Sequence, residues 1–140
     1  MKKILAIAGL LATMMAHAQA NQVVGTFGHD YTEKINEPVW TVSSAGQQVK
    51  LKSHGGGPTV KATILSREQR KALWDALAFD SDTGSFAQAE CVGDGAEYIC
   101  HVPTAARAVI PALKTRKSDF FHYDRAGGLM EIRKLEAAKK

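Results

Sequence analysis

Two cysteines placed symmetrically about a glycine constrain this chain more than any other feature. Cys91 and Cys100 enclose Val92-Gly93-Asp94-Gly95-Ala96-Glu97-Tyr98-Ile99. With Gly95-Ala96 as a two-residue turn, Gly95 supplies the positive φ that opens a type II′ turn. Asp94 then faces Glu97, Gly93 faces Tyr98, Val92 faces Ile99 and Cys91 faces Cys100. Hydrogen-bonded and non-hydrogen-bonded pairs alternate outward from the turn. The cysteines fall on a non-hydrogen-bonded pair, where side chains approach closest, and that spacing suits a cross-strand disulfide. An even cysteine count in an exported chain points the same way. A ring this small stabilises the fold by about 2–3 kcal/mol in the chain-entropy account. A metal centre would need more ligands than this pair and the adjacent His101, and a redox pair would normally read C-x-x-C.

Export is itself read from the N-terminus. Lys2 and Lys3 precede an uncharged apolar run from Ile4 to Ala16. That run ends in two overlapping small-x-small sites, Ala16-His17-Ala18 and Ala18-Gln19-Ala20. This is the layout of a secretory signal peptide, and the run is shorter than the roughly 20 apolar residues of a spanning helix. The expectation is a cleavable signal at 1–20, a single globular domain at 21–140 and a periplasmic destination. Without Lys2 and Lys3 the formal charge of +4 falls to +2. Of the remaining charges, positions 21–113 hold eight basic and ten acidic residues, and positions 114–140 hold eight basic and four acidic. A basic C-terminal third suits an acidic surface, and equally a solvated strand edge and tail. Nucleic acid fits poorly, because the compartment is wrong and no binding motif is present.

Alternating and β-branched runs predict strands at Val39–Val42, Gln47–Lys52, Thr59–Leu65, about Asp119–Tyr123 and Leu129–Leu135, with a short opening strand before Asn36. Ser66-Arg67-Glu68-Gln69 is a capping box. It starts a helix running to about Ala78, with Leu73, Trp74 and Leu77 on one stripe. Ala105–Ile110 suggests a helical turn or two. The expected fold is therefore α+β: an antiparallel sheet of six or seven short strands, one main helix (66–78) packed on one face, and one hairpin disulfide.

Chemistry is harder to find. His54-Gly55-Gly56-Gly57 resembles the oxyanion-hole loop of lipases and esterases, but the G-x-S-x-G nucleophile elbow of that family is missing. The phosphate-loop pattern G-x-x-x-x-G-K-[ST] is missing as well. The run reads as a flexible loop whose backbone can approach a partner closely. Four histidines follow the signal: His29, His54, His101 and His122. None shows helical i, i+4 or strand i, i+2 ligand spacing, so no metal and no cofactor is expected. Ser66 is a cap rather than a nucleophile, and no carboxylate pair is marked out for glycoside hydrolysis; the chain reads as a non-enzyme. Phe120 and Phe121, being adjacent on a strand, point to opposite faces. One of them, beside Arg116, Lys117 and Arg125, is a candidate anchor for a protein partner.

The favoured reading is a small exported binding protein that inhibits or neutralises another envelope protein, such as a wall-degrading enzyme or toxin. Its contacts are expected at His54, Gly55, Gly56, Gly57, Arg116, Phe120, Phe121 and Arg125. The alternatives are a small-molecule or metal-binding envelope protein, with His29, His101 and His122 converging, and a small hydrolase.

Overall fold

A computed structural model describes residues 22–30 and 36–137; the expected signal peptide lies outside the described residues. The chain forms β1 (Gly25–His29), β2 (Trp40–Ala45), β3 (Gln48–Ser53), β4 (Thr59–Ile64), α1 (Arg67–Ala76), β5 (Glu90–Gly93), β6 (Glu97–His101), α2 (Thr104–Arg107), β7 (Phe120–Asp124) and β8 (Gly128–Leu135). Each strand pairs antiparallel with the next, and β8 returns to β1, giving a closed eight-stranded barrel. This corrects the expected open α+β sheet with a main helix on one face. The local strand assignments hold, but Thr26 to His29 pair with Leu135 to Ile132 and close the sheet. That pairing joins the two ends of the chain and leaves no mark on either segment alone. The helix is short and lies outside a closed wall.

Closure gives every strand an inner and an outer face, and the period of two sorts residues between them. Phe27, Trp40, Val42, Leu51, Val92, Ile99 and Ile132 point inward and form one buried cluster. Their neighbours along β5, β6 and β7 point outward: Cys91, Cys100 and Phe121 join Leu73 and Trp74 of α1, with Ala106, Ile110 and Leu113, in a second cluster. The barrel thus has a filled lumen and a second core on half of its outer surface.

The disulfide hairpin forms in the expected register, with Cys91 opposite Cys100 and Gly93 opposite Tyr98. Gly95 takes a φ of 94°. Asp94 Oδ1 accepts from the amides of Ala96 and Glu97 at 2.9 Å each, which fixes the turn. The cystine lies on the outer face, beneath α1.

The capping box also forms, with Ser66 Oγ accepting from the Gln69 amide and Gln69 Oε1 from the Ser66 amide. Arg70 is buried; its guanidinium donates to the Leu65 and Phe86 carbonyls and ties the helix start to the turn before β5. The helix stops at Ala76, short of the expected Ala78. The Phe79 amide bonds the Trp74 carbonyl and the Ala78 amide bonds the Asp75 carbonyl, while the Phe79 ring packs edge-on against Trp74. This is a Schellman termination, and it places Ala78 at φ 56°, in the left-handed region. Alanine there carries a strain of about 1 kcal/mol that glycine would not. Ala78→Gly is therefore expected to stabilise the protein by up to about 1 kcal/mol, less the entropy glycine adds to the unfolded chain. Chemical denaturation with an unchanged m-value would check this.

Candidate functional site

The polar interior of the barrel is the first place to look for chemistry. On β7, His122 points inward, and only 2% of its surface is exposed. Its Nε2 lies 2.9 Å from Glu97 Oε2 on β6, and its Nδ1 lies 3.8 Å from Asp124 Oδ2. Trp40 stacks on the ring at a centroid distance of 4.3 Å, and His29 meets that indole edge-on at 5.2 Å. The carboxylate of Glu97 accepts the Nε2 proton, which fixes the imidazole within the wall. Trp40 and the strands enclose the ring, so the arrangement serves packing: Nε2 is satisfied by Glu97, while the buried Nδ1 makes no hydrogen bond.

A second polar group sits near the opposite end. Glu90 and His101 face each other across β5 and β6. Lys134 lies over the ring of Phe120 and donates to the Gln22 carbonyl. His101 approaches Asp119 at 3.8 Å, and burial holds its pKa below the usual histidine value against the pull of that carboxylate. Burial likewise raises the Glu90 carboxyl above its ordinary value, although the Gln22 amide, Arg70 and Lys134 oppose the shift. Glu90 Oε2 has no hydrogen-bond partner. The three histidines named for a metal do not converge. His29 and His122 flank Trp40 and His101 packs on Phe120; among the described residues no group of three or more ligand side chains is present.

One open concave surface lies outside the barrel, where β4 and β5 part. These strands pair only at Thr63–Gly93 and Ile64–Val92, with the Leu65 amide bonding the Cys91 carbonyl just beyond. Beyond Thr63 the hairpin turn carries β5 away from β4. On its other side, β4 is paired with β3 from Thr59 to Ala62. Since Leu65 bonds across to Cys91, alternation aims the N–H and C=O of Thr63, Lys61 and Thr59 toward the β5 side. Among the described residues, Lys61 and Thr59 have no strand there to receive them. The resulting groove, about 440 Å³, has α1 as one bank through Gln69, Ala72, Leu73 and Ala76. The other bank is Gly93, Asp94, Gly95, Tyr98, Tyr123 and Arg125. Tyr98 and Tyr123 stack with ring centroids 6.2 Å apart. Gly93 makes this possible: a Cβ there would come within 2.2 Å of the Tyr98 ring and 2.6 Å of the Glu97 carbonyl. Asp124 Oδ1 accepts from the Ala126 and Gly127 amides, as Asp94 does in its own turn, and presents Arg125 beside Gly95 and Ala96.

The residues expected to meet a partner are dispersed. His54 to Gly57 form the exposed connection leading into β4, with His54 Nε2 2.8 Å from Thr41 Oγ1. Arg125 lines the groove. In an up-and-down barrel the β3–β4 and β7–β8 connections emerge at the same end, so these two features share it. Phe120 and Phe121 do not supply an exposed anchor. Phe121 is buried in the outer core, and Phe120 packs inside the barrel against Phe27 at 5.3 Å. Arg116 is at the other end, 3.8 Å from Glu131. Sequence reasoning missed Lys61, Ala72, Ala76, Tyr98 and Tyr123. The available signals were the glycine inside a strand opposite a tyrosine and small residues four apart on α1.

Comparison with protein-family models, with curated proteins and with solved structures gives no match. The site therefore rests on its own geometry.

The shift at Glu90 carries a pH test. Its carboxyl binds a proton more tightly in the folded state, so stability falls as pH rises from 4.5 through the folded value. Glu90→Gln removes that cost. The variant is expected to melt above the parent at pH 7, with the difference shrinking toward zero below pH 4.5, where both states of the parent are protonated. Thermal unfolding across this range checks it.

Proposed function

We propose that this is a small exported binding protein of the periplasm, without catalytic activity. It seizes an extended segment of another envelope protein, such as a wall-degrading enzyme or toxin, and so inhibits or neutralises it. The observation that carries this reading is the edge of β4 beyond its short pairing with β5, where Lys61 lines the groove and Thr59 continues the strand past it. An extended peptide laid along β4 satisfies those backbone groups, and its alternate side chains point into the groove or away from it. Leu73, Ala72 and Ala76 offer an apolar bank, the tyrosine pair a rigid one, and Arg125 and Asp94 a charged mouth. Tyrosines in such a setting are typical of contacts that dominate binding energy. The exposed backbone of Gly55–Gly57 stands at the entrance to β4, where its lack of side chains lets a partner approach. The signal-like N-terminus and the disulfide support the compartment.

The test is capture of a partner from envelope extract, with the site blocked in parallel. Ala72 is exposed, so Ala72→Arg should fold with an unchanged melting temperature while filling the groove. Parent protein is expected to retain one stoichiometric hydrolase or toxin, and Ala72→Arg to bind it on the order of ten-fold more weakly, a loss of about 1.4 kcal/mol. Amide exchange at Thr59 and Lys61 should slow in the complex. Retention undiminished by Ala72→Arg would remove the groove from the account, and recovery of no partner would remove the function.

A further inference from the structure

We infer that the outer face of β2, β3 and β4 is a binding surface for an anionic polysaccharide, centred on Lys50 and Lys52 and meeting the groove at Lys61 and Thr63. The observation behind it is a one-sided distribution of charge. From Pro38 to Arg67 the sequence contains no Asp or Glu. The four strands β1 to β4 carry no acidic residue and three lysines. Val49 and Leu51 take the inward positions of β3, and Val60 and Ala62 those of β4, so the three lysines between them fall outside. Lys50 stands directly opposite Lys61, and Lys52 opposite Thr59. Lys50, Lys52 and Lys61 are all exposed, and among the described residues none of the three is in an ion pair.

Directly opposed like charges cost stability in a sheet, and their Cβ atoms lie about 5 Å apart. Lys52 is two residues further along the strand, about 7 Å away. An anionic group on this face would lie within reach of all three ammonium groups and turn their repulsion into attraction. The space between the lysines is filled by the exposed Ser43, Thr59 and Thr63, whose hydroxyls suit sulfate, carboxylate and sugar hydroxyl groups. No large apolar side chain stands on the face: the exposed ones are Ile64, with the inward register of β4, and Val109, beyond α2. The surface therefore lacks the apolar anchors of a membrane-binding or protein-binding patch. An exposed, cationic face without acidic residues fits an extended polyanion held through released counterions.

The test uses two polysaccharides, heparin for sulfate and polygalacturonate for carboxylate, with phosphatidylglycerol vesicles as a third arm. Lys50→Gln/Lys52→Gln is the variant, because it leaves Lys61 and the groove untouched. The folded parent is expected to bind at least one polymer at low ionic strength, with affinity falling steeply as salt rises. The variant should bind on the order of ten-fold more weakly, with an unchanged or higher melting temperature and an unchanged near-ultraviolet circular dichroism spectrum. Lys50→Arg/Lys52→Arg should restore binding, and Lys114→Gln/Lys117→Gln, at the far side of the chain's charge, should leave it at the parent level. Binding to neither polymer overturns the proposal. So does binding to vesicles alone, or a loss in the Lys114/Lys117 variant equal to that in the Lys50/Lys52 variant.

Discussion

Four residue pairs between β1 and β8 make this molecule a barrel. Without them the same hairpins would form an open sheet with two edges to protect. With them, the meander encloses a core, and the outer surface becomes a separate structural problem. The chain solves it on half the circumference only. The long connections after β4 and β6 fold back over β5 to β8 and bury Trp74, Ile110 and Leu113 against the disulfide and Phe121. Most outward positions of β2, β3 and β4 stay exposed and carry Ser, Thr, Gln or Lys. Both candidate surfaces follow from this asymmetry. The groove lies where the covered half meets the open half, and the lysine face is the open half itself.

Two buried arginines hold the covering connections in place. Arg70 donates to the carbonyls of Leu65 and Phe86, on either side of the segment it anchors. Arg107 binds the carbonyls of Val102 and Arg116 and the carboxylate of Asp119. A guanidinium carries several donors in a fixed plane, so one side chain satisfies carbonyls from both ends of an irregular segment. That is how long non-strand stretches can lie buried without leaving polar backbone unpaired.

Local geometry was legible in the sequence and long-range geometry was not. The spacing of Cys91 and Cys100 about Gly95 set the hairpin register, because a two-residue turn leaves no freedom in it. Ser66 and Gln69 marked the helix start through the reciprocal bonds their side chains make. The helix end was missed because an alanine, not a glycine, occupies the left-handed position at residue 78. Closure was missed because β1 contains Gly25 and Gly28 and reads weakly as a strand, and because its partner is at the other end of the chain. Phe120 and Phe121 were correctly assigned to opposite faces, but only the barrel and its helical cover show that both faces are occupied. The groove gathers residues from β4, α1, the β5–β6 hairpin and the β7–β8 turn, so no single segment could announce it.

The disulfide joins β5 to β6, immediately beside the short pairing of β4 with β5. The two neighbouring seams are therefore unequal: one is locked by a covalent bond and the other is the least paired in the wall. Thermal breathing will find the second. Any transient parting of the wall should run along β4, leaving β5 and β6 to swing as one leaf, so the staple does more than resist unfolding: it decides where the cylinder can unbutton.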